Sequence, residues 1–466
     1  LKSKYAWRKH PGDGKYVCPS LDTLQKAALP LCQMILKGER PTFQDMTSLA
    51  HAATTKLLPL RYSDPPEVKA LCRVRSVTAD QAERMHLTKQ IFKDRSGAKQ
   101  QWHASLWDRA AQGEWRARQA LQRQKVRRGG LLQFASTKTD PCMVLDEIKS
   151  YFAGKFGEGP TLDPATLPWL TTEGHDEELP QMDEIRLHIL KMKSHRTTGA
   201  SGVSADLLHA LLQIPHGDVI LTQVIHGMML HPQDSAEQLY QGLVILIPKL
   251  INVVSPSHLR PIVLTECFTK LVARITVARV VKAWPLPPSM MGAREGSQTA
   301  ECIWVAKLLL SRKQVYGSSC IFLKIDLSAA YDSLRHAAIQ QEIVRNFSSA
   351  QGWSCRWIDF MLRNQKLVFQ VFDESFELLM GCGTVQGGCH SPALFSRVVA
   401  VAAQRLQAQW EAQGESGPFI TKGLFLWFLW FVDDGLLCFS NAKQISRLFP
   451  TLRSMLAGLG LSLNLE

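Results

Sequence analysis

The chain contains no uncharged stretch long enough to cross a bilayer as a helix, and its greasiest segment, Leu424 to Val432, runs straight into two aspartates. That run reads as a buried strand, and no membrane partner is expected. No C-x-x-C pair occurs; the 11 cysteines are odd in number and scattered, which argues against a zinc ribbon or a disulfide framework and suits an intracellular setting, nuclear or cytoplasmic. Acidic residues are the minority charge, 41 against 54 Lys and Arg, giving a net charge of +13 and a pI near 9.2. An anionic partner follows, polyphosphate or nucleic acid before a membrane surface. No signal peptide opens the sequence, no internal repeat is visible, and residue 1 is leucine rather than methionine, so the expectation is a piece of something longer.

What is present begins with size: 466 residues, 45% of them hydrophobic, suffice for two or more domains with real cores. Residues 1 to 180 read as a basic, mainly helical N-terminal connector and residues 181 to 466 as a mixed α/β unit. Within the first, Gln100 to Arg128 reads as a helical tract closing at Gly129-Gly130, with Trp102, Trp107 and Trp115 among Arg116, Arg118, Arg123, Lys125, Arg127 and Arg128. Such a face would track a phosphate backbone. A solvated helix with a tryptophan-lined underside is the plainer reading of the same residues. Between Gly157 and Pro180 the composition turns to Gly, Pro, Thr and Glu, the best candidate linker.

After the linker, Met182 to Lys193 is amphipathic, and the turn Thr198-Gly199-Ala200-Ser201-Gly202 follows it. Leu243 to Lys249 is a short strand that delivers a lysine, and Arg260 to Leu264 one that begins with an arginine. Two cations at strand ends suit a triphosphate; each alone is an ordinary surface charge. The strand Ile321 to Ile325 ends in Asp326, and small residues then turn the chain into a helix bearing Tyr331 and Asp332. Asp332 is expected to be a structural first-turn charge rather than a metal ligand. Lys366 to Phe372 alternates as a strand, and Gly381 to Gly388 leads into a helix with Ser391 at its cap and Pro392 in its first position. A base pair would fit on that glycine shelf, steadied by the Gln386 amide. His390, beside the cap, is expected to be structural. Asp433-Asp434-Gly435 separates two apolar runs as the turn of a β-hairpin, Pro450 should kink or split the helix that follows, and Leu461 to Leu465 is a last strand. This order matches a split β-α-β antiparallel sheet with helices on one face, which places Asp326 and Asp433 on neighbouring strands. Strands that bury their ends in bare carboxylates need a cation, and paired divalent ions would make this a nucleotide-polymerising site.

Five stretches in order carry a family resemblance: L-I-P-K at 246 to 249, R-P-I at 260 to 262, F-L-K-I-D-L-S-A-A-Y-D-S-L at 322 to 334, Q-G-G-C-H-S-P-A-L-F at 386 to 395, and F-V-D-D at 431 to 434. Residues from about 185 to 466 resemble the reverse transcriptase of non-LTR (LINE-type) retrotransposons. The resemblance implies an α+β fold, the fingers and palm of a right-handed polymerase, preceded by the family's basic connector. It implies an RNA-directed DNA polymerase that transfers a nucleotidyl group from a dNTP to a primer 3′-hydroxyl, with an RNA template, a DNA primer and two Mg²⁺ ions, Mn²⁺ being an alternative. Asp326 and Asp433 then match the metal ligands, with Asp434 supporting. Lys249 and Arg260 match the grip on the triphosphate, Tyr331 the screen against ribose, and Gln386 and Gly387 the positions beside template and primer.

The sequence departs from the family where Thr198 to Gly202 replaces a Pro-Gly-rich turn, where Cys389 replaces a proline, and where Val432 replaces a small residue. None removes a ligand. The chain ends at Glu466, where the family's D-motif lysine is expected, with no thumb after it and no endonuclease motif before; such a fragment is expected to bind substrates yet polymerise poorly. A catalytically silent nucleic-acid-binding remnant is therefore the alternative. An RNA-templated RNA polymerase shares the palm logic, but the Tyr331 ring should crowd a ribose hydroxyl.

Overall fold

The computed structural model describes residues 15–17, 20–57, 62–114, 117, 120, 134, 141–157, 176–194, 199, 201–234, 237–250, 252–317, 319–348, 351–371, 374–421 and 424–464. The first part is chiefly helical: β1 (Lys15–Val17), α1 (Leu21–Leu36), α2 (Phe43–Ala53), β2 (Thr55–Leu57), α3 (Pro66–Val77), α4 (Gln81–Ala111) and α5 (Pro141–Phe156). Then come α6 (Met182–Leu190), α7 (Ala205–Leu211), α8 (Gly217–Leu230), β3 (Gln241–Pro248), β4 (Leu259–Leu264), α9 (Cys267–Ala283) and α10 (Thr299–Tyr316). The rest is β5 (Ile321–Ile325), β6 (Leu327–Ser328), α11 (Ala330–Ser333), α12 (His336–Asn346), α13 (Gly352–Asn364), β7 (Lys366–Val371), β8 (Glu374–Leu379), α14 (Ser391–Ala412), β9 (Phe419–Thr421), β10 (Leu424–Phe425), β11 (Phe428–Phe431), β12 (Asp434–Phe439), α15 (Ala442–Gly458) and β13 (Ser462–Leu463).

Two sheets position the site. One is antiparallel, in the order β11-β12-β5; the other runs β4-β3-β7-β8, with β3 and β7 parallel. Alternation along the first sends Phe428, Trp430, Leu437 and Phe439 into the main core with Phe395 and Trp410 of α14 and Leu448 and Leu452 of α15. Trp410 stacks on Phe428 at 5.4 Å between centroids. The opposite face carries a smaller cluster, Leu429 and Cys438 against Leu309 of α10. On the second sheet, Leu367, Phe369 and Val371 are the buried residues of β7, and they meet Val144, Ile148, Phe152 and Phe156 of α5. Those four positions recur every fourth residue, so α5 presents one apolar stripe to the sheet.

The packed core continues across position 180. Leu24 and Leu31 of α1 and Phe43 and Met46 of α2 belong to one cluster with α7, α8 and α9, and the Phe43 ring meets Phe268 edge-on at 6.1 Å. In the described end of the candidate linker, Glu177 is buried and accepts hydrogen bonds from the Ser354 N–H at 2.8 Å and Arg279 Nη1 at 2.8 Å. The turn at 199–202 likewise serves the fold: the Ser201 N–H donates to the buried carboxylate of Glu266, which precedes α9.

Three expectations are corrected. The basic helical tract does not run unbroken from Gln100: α4 ends at Ala111, where Gly113 takes φ 92 and the N–H of Glu114 bonds back to Arg109. Trp102 lies on that helix, and residues 115, 116, 118, 119 and 121–128 lie outside the described residues. Pro450 does not split the helix after the hairpin, because Leu448, Leu452 and Leu456 on either side of it are buried along one face. Finally, α14 starts at Ser391 itself, with His390 in the cap position.

Candidate active site

Strands β11 and β12 pair from Phe428 with Leu437 down to Phe431 with Asp434, so Val432 and Asp433 alone make the turn. A two-residue hairpin turn needs a positive φ at its first position, and Val432 has φ 61. A β-branched residue is strained there, and the neighbours hold it. The N–H of Trp430 donates to Ser289 O at 2.9 Å, that of Met291 donates to Trp430 O at 2.9 Å, and a side chain at Gly292 would collide with the Val432 backbone. Gly435, opposite Trp430, has the indole against it, since an added Cβ would lie 2.6 Å from the ring. Asp434 is thus the first residue of the returning strand rather than part of the turn.

Strand β5 joins the other side of β12, with Ile325 opposite Gly435. One step further on each strand stand Asp326 and Asp434, with Asp433 in the turn beside them. At Asp326 the chain leaves β12 and β6 pairs instead with β13. Asn464 fixes this junction: its N–H donates to Asp326 O at 2.8 Å and its Nδ2 to Asp326 Oδ2 at 2.9 Å. Lys324 Nζ lies 3.6 Å from Asp434 Oδ1, both side chains being exposed. All three aspartates are open to solvent. The expectation that burial of these carboxylates demands a cation is therefore corrected: all three face water, so desolvation does not require one.

Tyr331 is half-buried on α11, its ring 5.1 Å from that of Phe395. Burial, and after it the negative charge of Asp433, pushes the Tyr331 hydroxyl up to about 12. Asp332 is buried, as its structural reading requires, but it is more than a first-turn charge. Lys155 Nζ of α5 pairs with its Oδ2 at 2.7 Å, and Gln386 Nε2 donates to both carboxylate oxygens at 2.9 Å.

The glycine shelf is laced to the same turn. The N–H of Thr384 donates to Tyr331 O at 2.6 Å and that of Gly383 to Leu334 O at 2.7 Å. Gly383 has φ 82, and an added Cβ would stand 2.6 Å from Asp332 O. On the other side, the Val263 N–H of β4 donates to Gln386 O at 2.9 Å, and Gly387, exposed with φ 106, faces Val263 O. The Gln386 amide is thus already engaged by Asp332, which leaves the exposed Gly387 as the open part of the shelf.

Lys249 directly follows β3; its N–H donates to His258 O at 2.8 Å and its Nζ to Ser257 O at 2.7 Å. Arg260 is exposed on β4 opposite Ile247. Partial desolvation and then Lys155 lower the Lys249 pKa, and Asp332 partly offsets them, so these groups share one field. Among the described residues no group of three or more His, Cys, Asp or Glu stands ready to hold a metal ion alone. Asp326 and Asp433 nevertheless offer the hard oxygen donors that Mg²⁺ takes, and that ion characteristically completes its shell with water and substrate phosphate. The donor set fits an ion shared with a polyphosphate. Sequence reasoning missed Lys155, because the signal lay in the fourfold apolar spacing of 144, 148, 152 and 156 rather than in any motif.

Residues 247–466 match the family described as reverse transcriptase (RNA-dependent DNA polymerase). The retrovirus-related Pol polyprotein from the type-2 retrotransposable element R2DM of Drosophila melanogaster is 24% identical over 226 residues, 48% of this chain and 20% of the relative. The chain thus spans about a fifth of the length of that relative. Among solved structures, telomerase from Candida tropicalis in complex with a fragment of telomeric RNA matches with a TM-score of 0.37 and 11% identity, over 49% of this chain and 40% of that one. Telomerase from Candida albicans matches with a TM-score of 0.33 and 14% identity, over 48% and 42%.

Proposed function

We propose, from the match of residues 247–466 to the reverse transcriptase family and the likeness to a retrotransposon Pol polyprotein, that the chain carries out RNA-templated DNA synthesis at the edge of the β11-β12-β5 sheet. The carrying observation is the register that brings Asp326 and Asp433, far apart in sequence, to one sheet edge. In the reaction the primer 3′-oxygen attacks the α-phosphorus of a dNTP. The new P–O bond forms as the α–β bond breaks, and pyrophosphate leaves.

Asp326 and Asp433 would hold two Mg²⁺ ions, which when bound supply a lowered primer-hydroxyl pKa and charge compensation for the pyrophosphate. Asn464 orients the Asp326 carboxylate from behind. Asp434, paired with Lys324, supports the cluster without competing for the same position. Lys249, just past β3, and Arg260, on the adjoining β4, grip the triphosphate, and in-line positioning then supplies most of the acceleration. Tyr331 screens the sugar, and Gly387 lets template and primer approach the backbone closely. Primer extension on an RNA template tests this reading. Asp433→Asn is expected to abolish incorporation while duplex affinity stays within about twofold, since an exposed carboxylate contributes little to the fold. Loss of binding together with activity would make the aspartate architectural. Unaltered extension would exclude it from the chemistry. A binding protein without turnover is the second reading, favoured by the net charge of +13, and the parent chain's extension decides between them.

A further inference from the structure

Lys155 lies outside the stretch that matches the polymerase family, yet its ammonium is nearly enclosed in that domain: its side chain is 12% exposed and that of Asp332 2%. Its position is dictated from several sides. Helix α5 is held to the second sheet by Phe152 and Phe156. Just past the carboxylate, the Gly381 N–H donates to Phe156 O at 2.9 Å, and Cys382 Sγ approaches Lys155 O at 3.4 Å. The Lys155 Nζ also sits 5.9 Å from the Tyr151 and Phe156 rings. The cation is therefore preorganised, and Asp332 is bound to it.

Asp332 has two further ties, one through space and one through the chain. Its oxygens receive the Gln386 amide, and its neighbour on the one-turn helix α11 is Tyr331, whose carbonyl receives the Thr384 N–H. A buried carboxylate that loses its cation is left uncompensated, which destabilises the site around it. Here that site includes Gln386 and α11.

We propose that Lys155 is a positioning residue for the polymerase site: through Asp332 it fixes Gln386 on the shelf and Tyr331 beside Asp433, and so sets how sharply the site prefers deoxyribose to ribose. This rests on the reading that Tyr331 meets the sugar of the incoming nucleotide. A connector helix ahead of the family domain is then a working part of the site, not a tether.

The test compares the parent chain with Lys155→Met, Lys155→Arg and the double variant Lys155→Met/Asp332→Asn, measuring single-nucleotide incorporation with dATP and with ATP on an RNA template. In Lys155→Met the ratio of kcat/KM for dATP over ATP is expected to fall by about tenfold or more, the scale of a small misplacement in a site. Lys155→Arg should lose less, and the double variant should recover most of the ratio, because no charge is stranded. A purely structural role would lower the active fraction for both nucleotides alike. An unchanged ratio in Lys155→Met, or in the neutral, polar Lys155→Gln if the former fails to fold, overturns the proposal. Equilibrium binding of dATP and ATP in Ca²⁺ gives a second readout. A parent chain that binds with a sugar preference but does not extend primers removes the polymerase reading, and the variants' binding ratio still decides the role of Lys155.

Discussion

His390 shows how burial settles the role of a single residue. It precedes α14, its Nδ1 finds no acceptor among the described residues, and burial pushes its pKa down to about 4. His336, which meets Gly383 O through Nε2 at 2.8 Å, is lowered for the same reason. Neutral in the fold and free to protonate when unfolded, His390 makes the unfolded chain bind more protons between pH 6.5 and about 4. Stability therefore rises with pH across that window and is lost as pH falls through it, by roughly 3 kcal/mol from this residue. Urea denaturation at stepped pH should show that slope, and His390→Gln should flatten it; an equal slope in both proteins would exclude the histidine as its source. The structural reading of His390 rested on its place beside the cap; the structure puts it at the cap itself, buried and neutral at neutral pH. Asp332 went the same way, but its partner Lys155 was invisible, because nothing in a sequence pairs two charges that distant.

Elements carry the next layer. The hairpin of β11 and β12 was legible from two apolar runs around Asp433-Asp434-Gly435, but the first run, Leu424 to Val432, splits into β10, which pairs with β9, and β11, and the turn slips by one residue, since Val432 rather than a glycine or asparagine takes the positive φ. Helix α5 was not legible as part of the domain, because its stripe of Val144, Ile148, Phe152 and Phe156 has meaning only opposite β7. Phe152 lies 4.9 Å from Phe369, which in turn stacks on Phe376 at 4.8 Å. Phe152→Ala removes the ring by which α5 joins this stack and is expected to cost about 3–5 kcal/mol. Chemical denaturation measures the loss. A change under about 1 kcal/mol, the range of surface substitutions, would mean that α5 only rests on the sheet.

At the scale of the molecule, 54 basic residues against 41 acidic ones set the long-range field. Binding to an RNA–DNA duplex should weaken by about a thousandfold or more between 50 and 200 mM salt if six or more phosphates are engaged. Fluorescence anisotropy across a salt series yields the slope, and a flat one would remove backbone contacts as the source of affinity. The field reaches the site as well, for the buried Asp332 pairs with Lys155 and, with Lys155 and Arg260, acts on Lys249.

The order of strands and helices, the hairpin, the basic balance and the placement of Asp326 and Asp433 at strand ends all follow from local patterns, because alternation, turn chemistry and charge act over a few residues. That β3 pairs in parallel with β7, that the carboxylates face water, and that Lys155 reaches from α5 to Asp332 were decided only by the tertiary structure. Those pairings depend on side chains meeting across chain separations that no local pattern encodes.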